Sequence, residues 1–315
     1  MKVLTRTPLR ISLFGGGTDL KEYYENSYGK ALSLTFNKYC YVLVTDENYY
    51  DDKTFKNVEI IDGHNYDGIK NNLIKQIAKF YALHGIKIYY NIDVGAGSGL
   101  ATSSALAVGL VNAINKYRNV RMGKMDIADA AIYFERILCN ESGGIQDQYA
   151  VALGGLNEYT FRRNNVVVTN HDNKMKCLCN NLYLVHTGIY RNSHYIQQEL
   201  SNEIMNGNAV EHLDMIKEIA EISIKLLNAG KYNEFGKLLS ITWEEKRKLT
   251  KNITNSSLDE LYNNIIESGA IGAKLLGAGS GGYFICYVPD ENKKIFEKSI
   301  KCDKIVGDYD GTKII

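Results

Sequence analysis

The sequence predicts an α+β fold in two domains, one over residues 1–180 and the other over residues 181–315. Two observations support this prediction. The first half mixes strand-like and helical patterns, whereas the second half alternates a strand, several helices and further strands. The only prolines are Pro8 and Pro289 and no serine- or glycine-rich linker separates the halves, so the domain boundary is read from this change of pattern. A chain of 315 residues is also long enough to bury two cores.

Strands are predicted where apolar and β-branched residues alternate. The first such run ends at "GGGTD", and a later one, "IKIYYNIDV", leads into a glycine-rich loop. A new strand, "LYLVHTG", opens the second half, and further β structure is expected in "AKLLGAGSGGYFICYV" and at the C-terminus. The main predicted strands cover residues 2–14, 30–46, 86–94 and 182–188.

Helices are predicted where apolar residues recur every three or four positions. One begins near Ser104, directly after the glycine-rich loop. A second covers residues 126–138 and places its apolar residues on one face, with Asp126 as the N-cap. Further helices are predicted near residues 208–229, 231–250 and 257–268.

Composition and charge narrow the classes of function. Hydrophobic residues make up 45% of the chain and charged residues 23%, values typical of a globular protein. The formal net charge of +1 gives no electrostatic reason to expect nucleic acid or an anionic membrane as a partner. The N-terminus lacks a signal-peptide pattern, and no apolar stretch reaches the roughly 18 residues of a membrane span. A cytoplasmic location is therefore expected.

The loop "GAGSGLATSS", residues 95–104, lies between a predicted strand and a predicted helix. Glycine lets backbone N–H groups approach an anion closely, and a helix N-terminus adds a partial positive charge. The pattern therefore predicts a phosphate-binding loop, and a turn that lets a helix pack closely is the alternative. The lysine of a P-loop is absent, and Leu100 stands where the dinucleotide fingerprint requires its third glycine.

A second glycine-rich segment, from Gly277 to Gly282, does satisfy the spacing of the dinucleotide fingerprint. It runs into the predicted strand "YFICYV", whereas the fingerprint must open a helix to place a pyrophosphate at the helix N-terminus. A dinucleotide site is therefore not expected at this segment.

A phosphate loop without its own lysine needs another source of positive charge, and Mg²⁺ held by a hydroxyl and a carboxylate is the usual one. Thr102, Ser103 and Ser104 offer hydroxyls at the start of the helix. Glu135 offers the carboxylate, because it lies at the edge of the buried face of its predicted helix, while Arg136 is expected to point to the opposite side. A glutamate at the rim of an amphipathic helix is the alternative.

Asp147 follows Gly143 and Gly144 and opens an apolar segment. An aspartate in this position can cap a helix. Beside a phosphate loop, it can instead orient an attacking hydroxyl or accept its proton. The residues around Asp147 leave both interpretations open.

Four motif-like segments extend, in order, across nearly the whole chain: "TPLRISLFGGGTD" (7–19), "GAGSGLATSSA" (95–105), "ERILCNESGGIQDQ" (135–148) and "LLGAGSGGYF" (275–284). They resemble the ordered motifs of the GHMP small-molecule kinases, the superfamily of galactokinase, homoserine kinase, mevalonate kinase and phosphomevalonate kinase. Within the superfamily, "FGGGTDL", "GLATSSAL", "GGIQDQYA" and "TGIYRNS" are most similar to the D-glycero-D-manno-heptose 7-phosphate kinase branch.

The resemblance implies an ATP- and Mg²⁺-dependent kinase that phosphorylates the anomeric hydroxyl of a sugar phosphate. It implies a GHMP kinase fold, with an N-terminal nucleotide-binding α+β domain, a C-terminal ferredoxin-like domain and the site in the cleft between them. A homodimer is left open. The alternatives are a neutral-sugar 1-kinase of the L-fucose kinase type and a non-catalytic relative that binds sugar or nucleotide.

The resemblance also implies roles for individual residues. Ser103 and Glu135 would bind Mg²⁺, and Asp147 would be the catalytic aspartate. The residues that would hold the ATP phosphates are Gly95, Gly97, Ser98, Gly99, Leu100, Ala101, Thr102, Ser103 and Ser104. The residues that would contact the acceptor are Arg10, Gly16, Gly17, Thr18, Asp19, Asp147, Arg191, Gly279, Ser280 and Gly281.

Three positions depart from the family pattern. Gly16 and Gly17 stand where galactokinase has Glu and His, so galactose recognition of that kind is not supported. Ala101 stands where many members carry glycine.

A phosphate at the far end of the acceptor would need a cation to bind it. The candidates for this cation are Arg6, Arg10, Arg191 and Lys274.

Overall fold

The structure is a computed structural model that describes residues 1–48, 55–63, 66–189 and 193–315. Within these residues, one sheet has seven strands and the other has four. The strands are β1 (Lys2–Phe14), β2 (Gly29–Thr45), β3 (Asn57–Ile61), β4 (Ile86–Ile92), β5 (Leu156–Arg162), β6 (Asn165–Asn170), β7 (Leu182–His186), β8 (Gly272–Leu275), β9 (Tyr283–Tyr287), β10 (Asp303–Lys304) and β11 (Lys313–Ile314).

Helices α3, α8, α9 and α10 agree with the predicted periodicity, whereas α7 and α11 of the second half were not predicted. A π-helical segment, Tyr133–Leu138, follows α4 directly. Among the helices of the described residues, none combines the length and the apolar character needed to cross a bilayer. The helices are α1 (Lys21–Tyr24), α2 (Asn72–Phe80), α3 (Thr102–Tyr117), α4 (Lys124–Ile132), α5 (Gln146–Leu153), α6 (Asp172–Cys179), α7 (Ser193–Met205), α8 (Val210–Asn228), α9 (Tyr232–Lys246), α10 (Ser256–Glu267) and α11 (Lys293–Ser299).

The larger sheet is organised around the long strand β2, which pairs antiparallel with β1, β4 and β5. Helix α3 packs against β1 and β2 and buries most of its apolar residues there. The pairing of β1 with β2 changes register between Pro8 and Leu9 and again between Ser12 and Phe14. Proline cannot donate to the ladder, and such irregularities redirect nearby side chains. Arg10 lies between the two register shifts.

The smaller sheet has the strand order β10-β7-β9-β8, and its neighbouring strands are antiparallel. Helices α7 to α10 lie between β7 and β8 in the chain, and α11 lies between β9 and β10. This β-α-β-β-α-β order is that of a ferredoxin-like domain. The predicted ferredoxin-like character of the C-terminal domain is therefore confirmed, together with the predicted α+β class.

Strand pairing and side-chain packing join the two halves of the chain in addition to the covalent connection. After β10 of the smaller sheet, the chain returns to the larger sheet, where β11 pairs with β1 and places Ile314 opposite Thr5. Phe14 of β1 packs edge-on against Phe235 of α9, with ring centroids 4.9 Å apart. The boundary between residues 180 and 181 separates the two sheets except for this returning strand, and the division of the chain into two domains there stays a prediction.

The predicted helix over residues 126–138 differs from the structure in two ways. Helix α4 begins at Lys124 with Gly123 as its N-cap, so the prediction that Asp126 is the N-cap is wrong. Asp126 lies within the first turn, where its carboxylate accepts a hydrogen bond of 3.1 Å from the Gly123 N–H. From Tyr133 onward the helix is π-helical, a rare geometry that occurs often at functional sites.

Candidate active site

A cavity of about 200 Å³ lies between the two sheets and receives residues from both halves of the chain. One wall comes from the end of β1, the turn that follows it, and the glycine-rich loop before α3. A second wall comes from the π-helical segment and the loop that leads into α5. Helices α7 and α8 and the region after α9 close the third side. The apolar residues on that side are Ile196, Leu200, Ile216, Leu249 and Ile253.

The glycine-rich loop turns through several left-handed backbone conformations. Gly97 and Gly99 have φ values of 76° and 78°, and Ala101 has a φ of 62° as the N-cap residue of α3. The left-handed region favours glycine, which explains why glycine would suit the position of Ala101. The loop residues that line the cavity are Gly97, Gly99, Ala101, Thr102, Ser103 and Ser104.

Three of the predicted phosphate-loop residues do not line the cavity. Gly95 is exposed outside it, whereas Ser98 and Leu100 are buried. Leu100 is in the core, and its carbonyl accepts a hydrogen bond of 3.2 Å from the Arg10 N–H. Ser98 is 2% exposed and touches the second glycine-rich segment, because a Cβ on Gly282 would lie 2.3 Å from the Ser98 carbonyl oxygen. The two glycine-rich segments therefore pack directly on each other.

The second glycine-rich segment reaches the cavity at its beginning, through Gly277 and Ala278. The predicted acceptor residues Gly279, Ser280 and Gly281 do not line the cavity. The Ser280 hydroxyl donates to the carbonyl of Asn252, and its N–H donates to a second carbonyl of the same loop at 2.6 Å. In this structure, these residues shape the loop.

Ser103 and Glu135, the two predicted metal ligands, are in direct contact. The Ser103 hydroxyl donates to Oε1 of Glu135 at 2.6 Å, and Gln148 Nε2 donates to Oε2 at 2.6 Å. Glu135 is only 2% exposed, so the alternative of a solvated rim glutamate is wrong. Gln148 was not expected at the site, although its place beside Asp147 in "GGIQDQYA" was the available signal.

Arg136 also lines the cavity, so the expectation that it points to the opposite side is wrong. Its Nε and Nη2 donate to the Gly144 carbonyl at 3.1 and 2.9 Å. A π-helical turn holds more residues than an α-helical turn, and consecutive side chains therefore diverge less. Both Glu135 and Arg136 consequently reach the same cavity.

Asp147 is held by a two-pronged ion pair with Arg10. The Arg10 Nε and Nη2 donate to Oδ1 and Oδ2 of Asp147 at 2.7 and 2.6 Å, and Nη1 donates to the Gly99 carbonyl at 2.8 Å. The N-cap of α5 is Ile145, so the interpretation of Asp147 as a helix cap is wrong. Because each Arg10 side-chain nitrogen already has an acceptor, the geometry supports positioning of Asp147 and the loop and not contact with a distal phosphate.

Asp19 lies beside Gly144, the second of the two consecutive glycines that precede α5. A Cβ on Gly144 would lie 1.9 Å from Oδ2 of Asp19, so only glycine lets the carboxylate approach. The Gln146 N–H donates to Oδ2 at 3.0 Å and the Gly17 N–H donates to Oδ1 at 3.1 Å. Burial, and then the charge of Asp147, raises the pKa of Asp19.

Gly16, Gly17 and Asp19 line the cavity as predicted acceptor residues, whereas Thr18 lies beneath them. Its hydroxyl donates to the carbonyls of Gly15 and Lys30 at 2.7 and 2.9 Å. Thr18 therefore fixes the turn that presents Asp19 and has no surface in the cavity.

Lys274 is the second buried cation of the cavity wall. Its Nζ donates to the carbonyls of Ser12 and Leu13 at 2.8 and 2.6 Å, which joins β8 to β1. Burial, with a smaller contribution from the charge of Arg10, lowers the pKa of Lys274 to about 7.

Of the two other candidate cations, Arg6 lies outside the cavity wall and Arg191 lies outside the described residues. Arg6 pairs with Asp308 at 3.4 Å and lies over the Tyr39 ring at 4.4 Å. It does not line the cavity and has a structural role. Arg191, with the neighbouring residues 190 and 192 of "TGIYRNS", falls in the gap between the described ranges 66–189 and 193–315.

Family models match both parts of the chain that build the cavity. The model of the GHMP kinases N terminal domain matches residues 71–155, and that of the GHMP kinases C terminal domain matches residues 223–299. Together they match just over half of the chain. The chain is a GHMP kinase. It is an ATP-dependent kinase of the sugar-kinase type, and the predicted family and fold are confirmed.

Three relatives show how this GHMP kinase compares with known proteins. The D-glycero-alpha-D-manno-heptose 7-phosphate kinase of Campylobacter jejuni is 28% identical over 99% of this chain and 97% of its own length. The crystal structure of a D-glycero-D-manno-heptose 1-phosphate kinase from Bacteriodes thetaiotaomicron has a TM-score of 0.77 at 25% identity and covers 99% of this chain and 98% of that chain. The L-fucokinase/L-fucose-1-P guanylyltransferase of Bacteroides fragilis is 31% identical over 70% of this chain and 24% of its own length.

The lowered pKa of Lys274 predicts a pH-dependent stability difference. As pH rises above about 7, the folded GHMP kinase loses the Lys274 proton, whereas the unfolded chain keeps it up to its ordinary pKa of 10.5. The contribution of Lys274 to the free energy of unfolding is therefore least favourable below pH 7 and improves as pH rises. The stability of Lys274→Met relative to the wild type should thus be greatest near about pH 6 and fall by about pH 9. Thermal unfolding midpoints of both proteins measure this difference, and an equal difference at both pH values would contradict the prediction.

Proposed function

We propose that this GHMP kinase transfers the γ-phosphoryl group of ATP to the anomeric hydroxyl of D-glycero-D-manno-heptose 7-phosphate. The product would be the 1,7-bisphosphate, a precursor for nucleotide-activated heptose and surface polysaccharide. The observation that carries the phosphoryl-transfer proposal is the ion pair of Asp147 with Arg10, which also reaches the glycine-rich loop at Gly99. The heptose assignment is supported by the full-length similarity to the Campylobacter jejuni kinase and by the "FGGGTDL" motif.

The donor side of the cavity fits a nucleotide with a divalent cation. The Ser103 hydroxyl and the Glu135 carboxylate are hard oxygen donors in mutual contact, the type of ligand that Mg²⁺ prefers. In the described part of the chain, no cluster of three or more His, Cys, Asp or Glu side chains could hold a metal ion, so phosphate oxygens and water would complete the coordination. When bound, Mg²⁺ would neutralise phosphate charge that a loop without lysine leaves unpaired.

Asp147 is the group placed to act on the acceptor. Its carboxylate has both oxygens hydrogen-bonded to Arg10, yet the side chain is 24% exposed in the cavity. In the proposed reaction, this carboxylate accepts a hydrogen bond from the anomeric hydroxyl and orients its oxygen toward the γ-phosphorus. It takes the proton as the new P–O bond forms, while the bond between the γ-phosphorus and the β,γ-bridging oxygen breaks and ADP leaves. Arg10 holds the carboxylate in the orientation that this transfer requires.

The acceptor side combines sugar-binding and water-excluding surfaces. The Asp19 carboxylate, at the turn of Gly16 and Gly17, can accept hydrogen bonds from sugar hydroxyls. The apolar residues of helices α7 and α8 face the same cavity and would exclude water, which competes with the sugar as an acceptor of phosphate. The presence of Ser103, Glu135 and Asp147 in one cavity argues against a non-catalytic binding protein.

Asp147→Asn keeps the size of the side chain and removes its ability to accept a proton. Turnover should fall by about a hundredfold or more, the scale of general-base catalysis, while ATP affinity stays nearly unchanged. Steady-state ADP release, together with ATP binding by calorimetry, measures both quantities. Near-normal turnover would remove Asp147 from the proposed mechanism.

Glu135→Gln keeps the hydrogen-bonding shape and removes the negative charge beside Ser103. The Mg²⁺ concentration needed for half-maximal activity should rise and kcat should fall, because a carboxylate ligand becomes a weaker amide ligand. A Mg²⁺ titration of the initial rate tests this. An unchanged Mg²⁺ dependence would show that Glu135 does not bind the metal.

The substrate is tested with a panel of sugars and sugar phosphates assayed for ADP release. The kcat/KM for D-glycero-D-manno-heptose 7-phosphate should exceed that for the unphosphorylated heptose and for L-fucose by about ten- to a hundredfold, the range of a charge-assisted phosphate contact. Equal or better use of a neutral sugar would favour the alternative neutral-sugar 1-kinase and leave the kinase chemistry standing.

A further inference from the structure

Four cationic side chains line the cavity in the described residues: Arg10, Arg136, Lys246 and Lys274. Arg10 is committed to the catalytic carboxylate and to the phosphate loop. Lys246 and Lys274 each donate to two backbone carbonyls. Arg136 differs, because it is half-buried and its Nη1 donates to no group within residues 1–48, 55–63, 66–189 and 193–315. Of the four, Arg136 has a guanidinium nitrogen left for a ligand.

The Arg136 guanidinium is held in a fixed orientation. Both its Nε and its Nη2 donate to the single carbonyl of Gly144, which leaves Nη1 on the side away from that carbonyl. A Cβ on Gly143 would lie 3.2 Å from Nη2 and press against the guanidinium, so glycine lets the group lie close to the loop. A guanidinium that is already oriented loses less conformational entropy when it binds an anion.

The Gly144 peptide lies between Arg136 and Asp19. Its carbonyl oxygen accepts two hydrogen bonds from the Arg136 guanidinium, and a Cβ at the same residue would lie 1.9 Å from the Asp19 carboxylate. Gly144 therefore contacts both a cation and a hydrogen-bond acceptor for hydroxyl groups in the cavity wall. A sugar that carries a phosphate offers both complementary groups.

We propose that Arg136 binds the phosphate of the acceptor and thereby selects a phosphorylated sugar. This inference rests on the proposed function. The acceptor side of the cavity also contains the carboxylates of Asp19 and Asp147, which repel a phosphate dianion unless a cation compensates. A guanidinium offers the phosphate geometrically matched N–H donors as well as charge.

The test compares wild type, Arg136→Gln and Arg136→Lys with two acceptors, D-glycero-D-manno-heptose 7-phosphate and the unphosphorylated heptose. Arg136→Gln should lower kcat/KM for the phosphorylated acceptor by about ten- to a hundredfold, mainly through KM, and lower kcat/KM for the unphosphorylated acceptor much less. Arg136→Lys should restore part of the preference, because charge returns without the planar fork. Arg118→Gln is the matched control, since Arg118 is exposed and lies over the Tyr81 ring at 4.6 Å, away from the cavity wall.

The outcomes separate the two proposals. A wild-type enzyme without preference for the phosphorylated acceptor overturns the proposed function. A wild-type preference that survives in Arg136→Gln overturns only the role of Arg136. Equal losses with both acceptors show that Arg136 merely holds the Gly144 loop, and a raised KM for ATP with both acceptors shows contact with the donor phosphates. Either of these results also overturns the inference.

Discussion

The pairing of Arg10 with Asp147 is the interaction on which the arrangement of the cavity depends. The same guanidinium contacts the carboxylate at the start of α5 and the Gly99 carbonyl of the glycine-rich loop. It therefore sets the distance between the group that would act on the acceptor and the loop that would hold the donor. Lys274 contacts carbonyls only a few residues further along β1. Strand β1 therefore contacts the elements proposed to bind the two substrates, and it also contacts the smaller sheet.

Contacts across the cavity wall also depend on positions that lack a side chain. Gly144 accommodates Asp19, and Gly282 accommodates the Ser98 carbonyl, at distances where a Cβ would overlap another atom. A methyl group at either position would push a whole loop away from its neighbour. The glycine-rich motifs therefore line the cavity and also bring segments that are far apart in the chain into contact.

Much of the fold could be predicted because the order of strand, loop and helix is encoded in local periodicity, as in the run from β4 through the glycine-rich loop to α3. The contact of Ser103 with Glu135 could be anticipated from the chemistry of their motifs. The partner of Arg10 could not, since 137 residues separate it from Asp147. The direction of Arg136 was also missed, because a π-helical segment arises from a shift in backbone hydrogen bonding that its residue types do not reveal. Helix α7, which adds apolar residues to the cavity, was not recognised from periodicity.

The return of β11 to β1 has a consequence for how the protein is made. Strand β1 takes its outer partner, β11, from residues that are synthesised after the whole smaller sheet. Until then, the nascent larger sheet exposes an unpaired edge, a surface that tends to recruit other extended chains. The ferredoxin-like half must be translated before that edge is covered, so chaperone protection of the nascent N-terminal half would matter most during this interval.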